Sequence, residues 1–284
     1  MLCPNCRQEI DERTLTCAAG HHFELEDGVL ALLADDFGRR LRVFTETFKQ
    51  IRADEGMRLL DDALYDQLPQ AEVVGHKHEW RLRRYDWEVV HRLVAKRGEH
   101  QRILDVGAWN GWLSNRLVEL GHEVTAVDYF ADPYDGLGAM QFYPRRWRAI
   151  QMDLRDLALL DERFDVVVLN RCTHFFENPA GFAQQARQQL APGGLLLMTG
   201  LPFYRAVDHK IEQMRRLRAK LQRYGTDYFK PVRGYLDTGD RARLLELGVA
   251  LRPYRQLWPS NLKARWLAKR KPYYLYGCWP EGET

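Results

Sequence analysis

The chain has 284 residues, 45% hydrophobic and 29% charged, with a net charge of only +3, which suits one catalytic domain of ordinary size with a small additional module. No apolar run approaches the roughly 20 residues that a membrane span needs, and there is no internal repeat or low-complexity tract. The chain starts Met-Leu-Cys-Pro, with no basic segment ahead of an apolar run, so no secretory signal is expected and a cytoplasmic location is.

The first predicted module is metal-binding. Cys3-Pro4-Asn5-Cys6 sets two thiolates at knuckle spacing, and Cys17 with His21 supplies a second, distant pair. Four soft or borderline ligands in this pattern suit tetrahedral zinc. A disulfide with incidental histidines is the other reading, which a reducing compartment disfavours. A complete protein ligand set leaves no open position, so the metal would be structural. Residues 1–34 are assigned to this ribbon, while Cys172 and Cys278 stand alone and read as buried thiols.

Residues 35–98 are rich in charges and aromatics and read as mainly helical, with breaks at Pro69 and Gly75. They link the ribbon to the next domain and are placed to cover a pocket. Trp80, Arg81 and Tyr85 lead into a helical pattern at Val89, Val90, Leu93 and Val94 that is expected to pack on a sheet.

The run Ile103–Phe130 reads as strand, glycine turn, helix, strand. Ile103 and Leu104 lead to Asp105, Gly107 and Gly111 flank a tight turn, an apolar helix follows to Gly121, and Val124–Val127 ends at Asp128. Ligands of parallel sheets lie beyond the carboxyl ends of the strands, so Asp105, the turn and Asp128 are expected to share a crevice. A dinucleotide site wants a third glycine for close approach of a pyrophosphate. Here an acid stands before the turn instead, attracting a ligand with ammonium and sulfonium charges and repelling a pyrophosphate.

At Asp105, Gly107 and Gly111 the chain resembles the class I S-adenosylmethionine-dependent methyltransferases. The resemblance implies an α/β fold, a Rossmann-like seven-stranded sheet with helices on both faces and an antiparallel final strand. It places Asp128 on the ribose hydroxyls and Asp153, closing the strand-like Ala149–Met152, on the adenine amino group. Ala108, Tyr129, Leu154 and Asn170 complete the implied cofactor-binding set. Arg81 is placed either on the cofactor's methionine carboxylate or on a solvated basic face. Ala108-Trp109-Asn110 departs from the small residues usual in the turn. Phe164–Leu169 and Leu190–Gly200, with its Pro-Gly-Gly turn, fit the fourth and fifth strands. The amino-terminal cluster resembles the zinc ribbons that precede some methyltransferase domains, including RlmA-type RNA guanine methyltransferases and proteins with Trm112-like segments; His21 matches the fourth ligand of the former and is preferred over His22, where Trm112-like ribbons would have a cysteine.

After the fourth strand, Asn170–Pro179 lies at the rim of the crevice. His174 is the candidate base, since histidine titrates near neutral pH; its alternative is packing beneath the cofactor or capping the next helix. Methyl displacement from a sulfonium needs mainly alignment, with a base where the acceptor carries a proton. The domain is assigned to 99–284, with a substrate-cap insertion at about 201–236. Thr238–Gly248 reads as the last helix, with strands at Val249–Leu257 and Tyr273–Trp279 on either side of the basic stretch Asn261–Lys271.

Charge is uneven: residues 1–200 hold 24 Lys plus Arg against 31 Asp plus Glu, and residues 201–284 hold 18 against 8. This basic third is expected to attract an anionic acceptor or RNA phosphates. Three functions are weighed: methyl transfer to a small-molecule acceptor, guanine methylation of rRNA through the ribbon and basic face, and a non-catalytic zinc-ribbon interaction protein.

Overall fold

Two short hairpins open the chain, β1 (Ile10–Asp11) with β2 (Thr16–Cys17) and β3 (Leu25–Glu26) with β4 (Val29–Leu32). The second turns through Asp27 and Gly28, both at positive φ, the pair a two-residue hairpin loop favours. α1 (Asp35–Asp54) buries Phe37, Leu41, Phe44 and Ile51, a stripe at helical spacing. A 3-10 turn at Asp62–Gln67 leads to α2 (Lys77–Ala95). Then follow β5 (Arg102–Val106), α3 (Trp112–Glu119), β6 (Glu123–Asp128), β7 (Arg148–Met152), β8 (Phe164–Asn170), α4 (Pro179–Arg187), β9 (Leu190–Tyr204) and α5 (Asp208–Arg223). The chain closes with β10 (Leu236–Asp237), α6 (Thr238–Glu246), β11 (Ala250–Pro253), α7 (Trp258–Trp266) and β12 (Tyr273–Pro280). This computed structural model describes residues 1–73, 75–266 and 270–280.

The main sheet has ten strands in the order β11-β12-β9-β8-β5-β6-β7-β4-β3, with β10 beside β9. β5 to β9 are mutually parallel, and β12 is antiparallel to both β9 and β11. Seven of these strands therefore form the expected layout, including its antiparallel strand. From β5 the chain builds outward to β6 and β7, then returns to β8 on the other side. That reversal is the switch point beyond whose strand ends a crevice opens. Val166, Val167, Val168 and Leu169 are all fully buried, as a parallel strand covered on both faces requires. Truncating Leu169 to alanine costs about 2–5 kcal/mol.

Residues 1–34 are tied to this sheet. β4 pairs in parallel with β7, Val29 opposite Ala149 and Leu32 opposite Met152, and the two-residue β3 forms the edge. A very short edge strand offers little template for unwanted pairing. Leu2 N–H donates to Leu159 O at 2.7 Å and Arg7 pairs with Asp156 at 2.6 Å, so the first hairpin is anchored on the same domain.

Two local expectations differ from the structure. The strand predicted at Val249–Leu257 stops at Pro253 and gives way to a 3-10 turn at Arg255–Leu257, because proline brings no N–H to continue the ladder. The helix expected to be the last, Thr238–Gly248, spans Thr238–Glu246 and is followed by α7, which takes up part of the basic stretch Asn261–Lys271. Residues 267–269 of that stretch, and 281–284 of the assigned domain, lie outside the described residues.

Candidate active site

β5 carries Asp105 to its carboxyl end, fully buried. One carboxylate oxygen accepts from Ser114 Oγ at 2.7 Å, and Oδ1 has no partner among the described residues. Burial raises this carboxyl to about 7; the Ser114 bond opposes the shift and the charge of Asp128 adds to it. The chain then turns at Gly107, whose φ is +72°. A Cβ there would lie 2.6 Å from Cβ of Cys172, so only glycine fits. At Gly111 a Cβ would meet the Trp147 ring at 2.3 Å, and this glycine packs behind the cavity wall.

Asp128 fastens the turn. Its Oδ2 accepts from Trp109 N–H at 2.8 Å and its Oδ1 from Phe130 N–H at 2.9 Å. Burial raises Asp128 to about 6, while the backbone hydrogen bonds pull the other way. The departure at Ala108-Trp109-Asn110 has a use here. Trp109 adopts positive φ and stacks on Trp80 with ring centroids 5.9 Å apart. The guanidinium of Arg83 stands 4.9 Å from the centroid of each ring, within cation–π reach of both.

Arg81 is turned outward, exposed, and bonded to His78 Nδ1 at 2.9 Å. Two residues along a helix differ by about 200°, which puts Arg83 into the cavity wall in its place. Glu79 meets Arg83 only at 3.5 Å. Burial, then the like charge of Arg171, lowers this guanidinium to about 10. Its position was readable from helical phase, since Arg83 shares the stripe of Trp80, Val90 and Val94.

Ala108, Tyr129, Leu154 and Asn170 line the cavity, and Asn170 Nδ2 is buried without a partner among the described residues. Asp153 sits just outside the wall. It caps the following turn by accepting from Arg155 N–H at 3.0 Å, pairs with the Arg155 guanidinium at 2.6 Å, and accepts from Tyr129 Oη at 3.3 Å. Beyond β8 the wall consists of Arg171, Cys172, Phe175 and Phe176. His174 is directed away from it. Burial, then the charges of Arg171 and Lys210, pushes its imidazole down to about 3, a weak proton acceptor.

The cavity measures about 740 Å³ and is roofed by α1 and the segment after α5. Phe229 is the keystone, 4.9 Å from both Phe44 and Tyr129, and Phe48, Phe130 and Tyr228 complete an aromatic wall. Lys230, which motif reading missed, is buried in that wall. Its Nζ donates to Phe175 O at 2.8 Å and lies 4.7 Å from the Phe176 ring. Burial, then Arg155, lowers its ammonium to about 8, and among the described residues no carboxylate forms an ion pair with it. Several exposed cations of α5 are paired: Arg215 and Arg216 on Glu212, Arg218 on Asp227, and Lys220 on Glu55 beyond α1.

At the amino terminus the donor atoms of Cys3, Cys6, Cys17 and His21 all lie within 4.8 Å of one another. Cys17 Sγ stands 3.3 Å from His21 Nδ1 and 3.6 Å from Cys6 Sγ, and all these thiols are free. His22 turns aside to Thr16 Oγ1 at 3.2 Å.

A sequence profile of the methyltransferase-domain family matches residues 77–230, more than half of the chain. The chain belongs to this family. It is 29% identical over 147 residues to a malonyl-[acyl-carrier protein] O-methyltransferase of Enterobacter lignolyticus, covering 47% of this chain and 55% of the relative. It is 32% identical over 107 residues to a ubiquinone biosynthesis O-methyltransferase of Cereibacter sphaeroides, covering 35% and 41%. The chain thus spans about half the length of the curated relatives it matches. A solved S-adenosylmethionine-dependent methyltransferase from Mesorhizobium loti is 18% identical, covers 69% of this chain and 97% of its own, and superposes with a TM-score of 0.49.

Proposed function

We propose that this chain transfers a methyl group from S-adenosylmethionine to a small-molecule acceptor held in the roofed cavity. The observation that carries this reading is that one cavity of about 740 Å³ is walled by Asp105, Asp128 and Asn170 on the sheet side and by the aromatics of α1 and the cap on the other. That is room for a cofactor and a small acceptor together.

The residues fit the cofactor. The unpartnered buried oxygen of Asp105 suits an ammonium, since a buried acceptor left unmade is costly. Gly107 leaves bare backbone where a side chain would intrude. Asp128 retains lone pairs for two ribose hydroxyls, and Arg83, rather than Arg81, offers a carboxylate two parallel hydrogen bonds. When bound, S-adenosylmethionine supplies an electrophilic methyl on a sulfonium. The chain's task is then alignment and exclusion of water, which the Phe44, Phe48 and Phe229 roof performs. Lys230, a buried cation with no ion pair among the described residues, would favour an acceptor carrying negative charge.

A small acceptor is favoured over RNA because Lys230, buried and without an ion pair among the described residues, stands in the cavity wall rather than on the outer surface. The names of two relatives, acting in malonyl-[acyl-carrier protein] and ubiquinone biosynthesis chemistry, agree with this. We assign the amino-terminal Cys3, Cys6, Cys17 and His21 to a structural zinc ion, since tetrahedral bonds of about 2.1–2.3 Å place ligand atoms roughly 3.5–3.8 Å apart. The test of the function is transfer of labelled methyl from S-adenosylmethionine into cell extract separated into small molecules and RNA. Label in the small-molecule fraction is expected; label confined to RNA would overturn the assignment of acceptor.

A further inference from the structure

Helix α7 presents a face that methyl transfer does not use. Trp258, Leu262 and Trp266 fall at i, i+4 and i+8, one stripe of a helix, and are 61%, 42% and 69% exposed. Among the described residues, both tryptophans that stand in solvent are on this helix. The stripe cannot roll inward, because the opposite face is fixed. Asn261 is buried, its Nδ2 donating to Tyr274 O at 2.9 Å and its Oδ1 accepting from Tyr274 N–H at 2.8 Å, and Ala264 is buried beside it. Arg205, at the carboxyl end of β9, donates to Arg265 O at 2.5 Å, so the helix is held at the same end of the sheet as the cavity.

The charge along this part of the sequence is one-sided. Between Glu246 and Glu281 the sequence holds seven lysines and arginines and no acid. Exposed Lys263 and Arg265 flank the stripe directly.

We infer that α7 is an interfacial anchor that docks the protein on the surface of an anionic phospholipid bilayer. Tryptophan and leucine on one helix face with lysine and arginine beside them is the composition of helices that lie in the membrane interface. Tryptophan settles at headgroup level, and basic residues near the surface add attraction to anionic lipid that falls off within a Debye length. A nucleic acid would use the cations and stack on the tryptophans but gains nothing from Leu262 between them. No helix among the described residues is long and apolar enough to cross a membrane, so docking is peripheral. This inference goes beyond methyl transfer and does not depend on it.

The test is flotation of the full chain with vesicles of phosphatidylcholine alone and of phosphatidylcholine doped with phosphatidylglycerol. The protein is expected to float with the anionic vesicles only, to be released by high salt, and to shift its tryptophan emission to shorter wavelength on binding. Trp258→Ala/Trp266→Ala is expected to lose flotation with an unchanged melting temperature; should that variant not fold, Lys263→Glu/Arg265→Glu is expected to lose it likewise. Wild-type protein that stays behind at low salt, or tryptophan and charge variants that float as well as wild type, would overturn the inference. So would a tryptophan-dependent dimer, or tryptophan-dependent RNA binding, without flotation.

Discussion

Asp105→Asn separates the cost of a binding site from its use. The carboxyl of Asp105 is raised by burial from 3.8 to about 7. The unfolded chain loses this proton near pH 4, whereas the folded chain keeps it to about pH 7, so the folded state binds the extra proton and its stability falls as pH rises across that window. At 1.36 kcal/mol per unit, the burden at pH 8 is at most about 4 kcal/mol. Asparagine removes the charge but keeps a buried amide, which takes back about 1–2 kcal/mol. A net gain of about 2 kcal/mol is expected at pH 8, fading to nothing near pH 5 and turning into a loss of about 1–2 kcal/mol as pH approaches 4. The same change deprives the cofactor's ammonium of a charge-assisted hydrogen bond worth about 1.5–3 kcal/mol, weakening S-adenosylmethionine binding roughly ten- to a hundredfold. Urea unfolding at pH 5 and pH 8, with calorimetric titration of the cofactor, measures both. A variant that is less stable at pH 8, or one that binds cofactor as tightly as wild type, would refute the reasoning.

Arg83→Met should raise the cofactor Kd by about tenfold while Arg81→Met leaves it unchanged; equal effects would show that helical phase does not decide which arginine binds. His174→Ala should retain turnover, because the imidazole lies outside the cavity wall and is held near 3; its loss with intact cofactor affinity would reinstate a base. Because that depressed value is below the ordinary 6.5, wild-type stability should drop as pH falls from about 6.5 towards 3 by an increment that His174→Ala lacks. Metal analysis of purified protein should find about one zinc per chain, lost with Cys6→Ser together with several degrees of melting temperature; a fully folded metal-free protein would remove zinc from the account.

Residues 103–170 were legible because each strand there is a short apolar run closed by a polar residue, and Asp105, Asp128 and Asn170 must then stand together at one sheet end. The glycines declare themselves too, as Gly107 and Gly111 adopt backbone that other residues resist. What sequence could not carry was side-chain direction within an element and pairing across distance. Arg81 and Arg83 are equally good carboxylate partners as residue types, and only the phase set by Trp80, Val90 and Val94 distinguishes them. His174 has the right chemistry in the right loop, yet the 3-10 turn at Thr173–Phe175 aims it away. Val29–Leu32 is a plain apolar run, and nothing local reveals that it pairs with β7 more than a hundred residues later. Lys230 belongs to no motif; its meaning comes from the aromatic roof around it.

The central claim is that the crevice at the ends of β5, β6 and β8 binds S-adenosylmethionine, and calorimetric titration of wild type beside Asp128→Ala tests it most directly. The account predicts saturable binding at one site per chain, lost in the variant while its circular dichroism is retained. Absence of binding to the wild type, or equal affinity in a folded Asp128→Ala, would contradict it.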